Sequence, residues 1–103
     1  MPEEFVAVAN VADLAPGQMK WVAVDRVRIV LANVDGQFHA IRDVCGHQNA
    51  PLSRGKLNGC MIECPLHFAV FDIRTGKFVD GPASADVAIY EVRVDGDTVY
   101  LKR

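Results

Sequence analysis

Two short hooks in this chain each present one thiol and one imidazole: Cys45-Gly46-His47 and, after sixteen residues, Cys64-Pro65-Leu66-His67. Two thiolates and two neutral imidazoles on tight turns can surround one compact metal centre. Zinc fits such a set, because tetrahedral Cys2His2 sites are built from paired hooks with a dozen or more residues between them. A binuclear centre fits it too. Since each hook carries one Cys and one His, both cysteines can hold one metal ion and both histidines the other. Cys60 is a third thiol, but it falls on the apolar alternation with Ile62, which suits a small buried hydrophobe better than a fifth ligand.

The residues around the hooks resemble those of a known family. Cys45-Gly46-His47, Pro51-Leu52-Ser53, Gly55-Lys56-Leu57, Ile62-Glu63-Cys64-Pro65-Leu66-His67, Phe71-Asp72, Thr75-Gly76 and Gly81-Pro82-Ala83 match the Rieske pattern in register. The resemblance runs from about Phe38 to the C-terminus, and it is to the small Rieske ferredoxins that serve bacterial aromatic-ring dioxygenases. It implies one [2Fe-2S] cluster, with Cys45 and Cys64 on the inner iron and His47 and His67 on the outer one. Many family members place Gly directly after the second His. Here Phe68 and Ala69 follow it, which predicts a differently shaped loop.

Neutral imidazole in place of thiolate leaves such a cluster less negative and easier to reduce than an all-cysteine one. Hydrogen bonds to the sulfurs raise the potential further, and the high-potential respiratory relatives place Ser and Tyr two and four residues after the second His. Those positions hold Ala69 and Phe71 in this chain, and the positions of the relatives' disulfide hold Ala50 and Leu66. The expectation is a potential at the low end of the Rieske range, roughly −150 mV. A histidine bound through one nitrogen keeps a titratable proton on the other, so coupling of electron and proton at alkaline pH is also expected.

The elements that must carry the hooks read as short strands between turns. Phe5–Val8, Trp21–Val24, Val27–Leu31 and Gln37–Ile41 make up the first half, and Asp35-Gly36 and Asp95-Gly96 suit hairpins. Val87–Val94 reads as one strand turning through Asp95-Gly96 into Thr98–Leu101. Val11–Leu14 reads as a helical turn capped by Asn10 and stopped by Pro16-Gly17. The fold class is therefore all-β, an antiparallel β-sandwich or open barrel. Residues 1–103 form one domain, in which about 43–79 is a small inserted cluster-binding subdomain. Within it Asn58-Gly59 closes a hairpin that puts Cys60–Glu63 on a strand leading to Cys64.

At 103 residues the chain is long enough for one modest core. Thirteen acidic and eleven basic residues are dispersed along it, for a net charge of −2 with no basic block that would track a phosphate backbone. Nucleic acid is not an expected partner. Nor is a membrane, since no apolar run approaches about 18 residues. The acidic start, Met1-Pro2-Glu3-Glu4, is unlike an export signal, and an odd cysteine count suits a reducing compartment, so a cytoplasmic location is expected.

Outside the hooks, His39 reads as an ordinary strand histidine, Trp21 and Tyr90 as core, and Arg26 and Arg28 as solvated surface. Only His39 remains to ligate a second iron, so the chain cannot supply the two-His, one-carboxylate site of an oxygenase. It is not expected to be an enzyme. The resemblance implies a one-electron carrier between a flavoprotein NAD(P)H reductase and a terminal ring-hydroxylating dioxygenase. Both partners would dock transiently at the tip formed by His47, His67, Pro65, Leu66 and Phe68. Leu66 and Phe68 could equally serve only to cover the cluster. A small subunit of a nitrite- or arsenite-type oxidoreductase and a zinc-stabilised interaction module are the rival readings.

Overall fold

A computed structural model describes residues 2–45, 50–66, 68–81 and 85–103. Among them run eleven strands: β1 (Phe5–Asn10), β2 (Met19–Val24), β3 (Val27–Val34), β4 (Gln37–Arg42), β5 (Lys56–Asn58), β6 (Met61–Glu63), β7 (Val70–Asp72), β8 (Phe78–Asp80), β9 (Ile89–Tyr90), β10 (Val92–Asp95) and β11 (Thr98–Lys102). They form three antiparallel sheets in the orders β1-β11-β10, β2-β3-β4-β9 and β5-β6-β7-β8. The expected all-β architecture is what forms.

The unbroken apolar run in β3 explains the layering. Ile29 and Leu31 face a core shared with Val22, Val24, Val99 and Leu101, whereas Val30 and Ala32 face a second core with Ile41, Leu52, Ile62 and Phe71. A strand buried on both faces cannot alternate with polar residues, and this one does not. The β2-β3-β4-β9 sheet therefore stands between the terminal sheet on one side and the β5–β8 sheet on the other.

Turn chemistry sets the registers. Asp35 and Gly36 both take positive φ, 53° and 90°, which matches the twist that a two-residue hairpin needs between β3 and β4. Asn10 caps a single 3-10 turn at Val11–Asp13, and the Asp13 carboxylate accepts the Asn10 N–H in return, a reciprocal capping box. Buried Asn33 is fully used: its Nδ2 donates to the Leu14 carbonyl and its Oδ1 accepts the Gly36 N–H.

Three expectations need correction. Val87–Val94 is not one strand: Ile89–Tyr90 pairs with β4 and Val92–Asp95 with β11, so the chain changes sheets at Glu91. Periodicity cannot reveal such a switch, since the alternation runs on through Glu91 without a turn residue. Trp21 is not core; it is half exposed, with the Arg28 guanidinium 4.2 Å from its ring centroid. Arg28 is accordingly not merely solvated, for its Nε also donates to buried Asp43.

Candidate metal centre

Each cysteine sits where a loop is closed by its own backbone. After β4 the Cys45 N–H donates to the Ala50 carbonyl at 2.9 Å, closing the first hook. Between β6 and β7 the Cys64 N–H donates to the Ala69 carbonyl at 2.8 Å, and the Phe68 N–H returns to the Cys64 carbonyl at 3.2 Å. Cys45 and Cys64 belong to the same buried cluster and are 3% and 1% exposed. His47 and His67 lie outside the described residues.

Asp43 ties the first hook to the frame. Its carboxylate is wholly buried and accepts from Arg28 Nε at 2.8 Å, from the Ser53 N–H at 2.7 Å and from Ser53 Oγ at 2.6 Å. The segment that leaves the first hook is thereby fastened two residues before Cys45, and the buried charge is fully hydrogen-bonded. The sequence signal was an aspartate directly between an apolar strand and a ligand, with Ser53 in the Pro-Leu-Ser triplet. Sequence reading did not join the two.

Close backbone approach holds the second hook. A Cβ at Gly55 would lie 1.7 Å from the Glu63 carbonyl oxygen, one residue before Cys64, so only glycine lets the chain before β5 lie against β6. A Cβ at Gly81 would also crowd this loop, less severely, at 2.9 Å from the Ala69 Cα.

The loop after the second hook carries an unusual backbone at Phe68. Phe68 adopts φ 59°, the left-handed region that glycine enters without strain. That conformation costs a non-glycine residue about 1–2 kcal/mol. Phe68 is also 65% exposed and Leu66 54%.

The remaining titratable groups stand apart. Among the described residues no three of Cys, His, Asp and Glu gather as metal ligands, so Cys60 does not join Cys45 and Cys64. It is half-buried against the core and lines a surface cleft of about 490 Å³ with His39 and Arg74. Burial, and then the nearby Arg74 charge, push the His39 pKa below its usual value, with Asp72 opposing. The Arg74 guanidinium grips the Asp72 carboxylate at 2.8 and 3.0 Å and holds its pKa down.

Two buried thiols within one core and outside any disulfide are the right donors for the sulfur-bound iron of a split-ligand cluster. Residues 4–91 match the Rieske [2Fe-2S] domain. The biphenyl dioxygenase ferredoxin subunit of Pseudomonas sp. (strain KKS102) is 35% identical over 98 residues, covering 94% of this chain and 90% of that protein. A solved complex of reduced oxygenase and oxidized ferredoxin in carbazole 1,9a-dioxygenase contains a chain with TM-score 0.91 and 32% identity, covering 98% of this chain and 94% of that one. Human apoptosis-inducing factor 3 is 35% identical, over 98% of this chain but 17% of its own length. The chain belongs to the Rieske [2Fe-2S] domain family. Its place is with the electron-transfer components rather than with the oxygenases that act on substrate. A zinc-stabilised module is set aside by that membership.

Proposed function

We propose that this chain carries single electrons from a flavin-dependent NAD(P)H reductase to a terminal ring-hydroxylating oxygenase, with Cys45, His47, Cys64 and His67 as cluster ligands and residues 43–79 as the cluster-binding part of one domain, 1–103. A [2Fe-2S] cluster held there supplies one reversible one-electron step. The ferredoxin-component relative and the oxygenase–ferredoxin complex support the oxygenase as acceptor. A cytoplasmic site of action suits these partners, and no helix among the described residues is long and apolar enough to cross a membrane.

The observation that carries the docking part of this reading is Phe68. Exposed apolar area and a left-handed backbone are both unfavourable, and both occur at the residue following a proposed ligand. Stability alone would remove them. With Pro65 and Leu66, Phe68 makes an apolar tip suited to the small, short-lived contacts of electron transfer, which typically bury less than about 1,200 Å².

The chain's own amides also bear on the potential. The N–H groups of Cys45, Cys64 and Phe68 already donate to carbonyls, and buried Ala69 and Phe71 carry no hydroxyl. Among the described residues these groups offer cluster sulfur no further donor, which supports the low end of the Rieske range.

The test uses the Rieske oxygenase from the source organism that most rapidly oxidises the reduced, cluster-loaded protein. Phe68→Ala is expected to slow that oxidation at least about tenfold with unchanged potential and visible spectrum. Unchanged kinetics would remove the tip from the docking surface. Failure of every oxygenase in the organism to oxidise the protein would end the carrier reading.

A further inference from the structure

An apolar knob alone does not fix how a partner is rotated about it, and the sheet behind the tip carries charges that can. The cross-strand registers place Lys56 opposite Glu63, Glu63 opposite Val70 and Val70 opposite Asp80. These four residues form the row of the β5–β8 sheet next to the tip. Directly paired residues share a face, and the neighbouring row, Leu57, Ile62 and Phe71, contributes to the core. Lys56, Glu63 and Val70 thus lie in the outward row; Asp80 continues it across a register irregularity between β7 and β8, and Lys56 and Asp80 are both exposed.

The basic edge is strengthened from the preceding turn. Arg54, exposed at the end of the 3-10 turn Leu52–Arg54, lines with Lys56, Glu63, Pro65 and Phe68 a cleft of about 200 Å³ running from β5 to the tip. The cleft holds two cations against one half-buried carboxylate. Arg28, Arg74 and Arg93 are each paired with an acid, whereas neither Arg54 nor Lys56 has an ion-pair partner among the described residues. At the opposite edge Asp80 faces outward, one of its oxygens accepting the Gly81 N–H.

Four strands put the two edges about 14 Å apart at the usual spacing of ~4.8 Å. That exceeds the Debye length of about 8 Å at physiological salt, so the charges act separately instead of cancelling. We propose, building on the docking reading above, that the acceptor oxygenase presents carboxylates to Arg54 and Lys56 and a cation to Asp80 on either side of an apolar notch for Phe68. This charge order sets the partner's orientation. An oxygenase of reversed polarity is rejected by like-charge contact at both edges.

The experiment follows oxidation of the reduced protein by the same oxygenase at several ionic strengths. Arg54→Glu/Lys56→Glu is expected to lower the second-order rate constant at least about tenfold at low salt, with the deficit shrinking as salt rises. Asp80→Lys is expected to lower it as well. Unchanged visible circular dichroism and potential establish that the cluster is intact in each variant. If the double variant reacts like wild type, or faster, while Phe68→Ala is slow, the charge order is wrong and tip docking stands. If Phe68→Ala is also unaffected, the docking reading itself falls. Carbodiimide coupling of the unaltered proteins gives a second readout, in which Lys56 should be joined to an oxygenase carboxylate. Coupling through other lysines but not Lys56 would overturn the proposal.

Discussion

Removing the Asp43 carboxylate tests whether the first hook depends on a buried charged clamp. Asp43→Ala deletes three hydrogen bonds at once, from Arg28 Nε, the Ser53 N–H and Ser53 Oγ. Breaking a buried ion pair by removing one partner typically costs about 3–5 kcal/mol. Arg28 is itself partly exposed and recovers hydration, so the lower part of that range applies. Asp43→Asn should be milder. Its oxygen can keep the Ser53 N–H and its amide can donate to Ser53 Oγ, but the same amide then opposes Arg28 Nε, donor against donor. Loss of that one charge-assisted bond is worth about 1.5–3 kcal/mol.

At about 4–8 °C per kcal/mol for a domain of this size, the alanine variant should lose at least about 12 °C in Tm and the asparagine variant about half as much. Loss of the cluster makes unfolding irreversible, so variants are compared anaerobically at one scan rate. Visible circular dichroism reports the hook and far-ultraviolet dichroism the sheets. A difference under about 3 °C between wild type and Asp43→Ala would refute the clamp. Equal losses for the two variants would refute the assignment of a distinct contribution to Arg28.

Three further outcomes follow from the geometry. Ala69→Ser combined with Phe71→Tyr restores hydroxyls after the second hook and should raise the potential by about 20–65 mV in voltammetry for each bond gained, the one-electron equivalent of about 0.5–1.5 kcal/mol; no rise would remove the argument from missing donors. His39 has a folded-state pKa below its usual 6.5, so the unfolded chain takes up a proton that the folded one resists, and stability falls as pH drops below that value. His39→Gln should lose less stability than wild type between about pH 7 and pH 5 in thermal scans, and identical profiles would contradict the shift. Phe68→Gly should relieve about 1–2 kcal/mol of backbone strain, partly offset by glycine's larger unfolded-state entropy, and so raise Tm slightly while slowing oxidation by the oxygenase. A fall in Tm would argue that the left-handed turn is not strained.

The fold was legible where local chemistry decides it. Asp35-Gly36 and Asn10 announced their turns, and Val27–Leu31 announced a strand, though not that it is buried on both faces. What was hidden depends on partners distant in sequence. Nothing local to Ile89–Val94 says that one piece belongs beside β4 and the next beside β11. Trp21 appeared to be core because indole usually is, but a cation from the neighbouring strand covers it instead. At the site, the cysteines stood out by their spacing, while the role of Asp43 required knowing that Arg28 and Ser53 arrive from either side. Nor did the sequence show that Phe68 would hold a left-handed backbone, because residue identity suggests a conformation without compelling it.

Phe5 pairs with Lys102, and the Arg103 N–H donates to the Glu4 carbonyl at 2.9 Å, so the two ends of the chain lie side by side on one sheet. Their adjacency makes the polypeptide almost a closed ring. A bridge of a few glycines and serines from Arg103 to Pro2, with a new opening at Asp95-Gly96, should yield a circularly permuted protein that retains every sheet. The same adjacency makes the base a natural seam for grafting: a guest domain inserted in the loop of a larger host enters and leaves at one place, and this carrier could itself be such a guest.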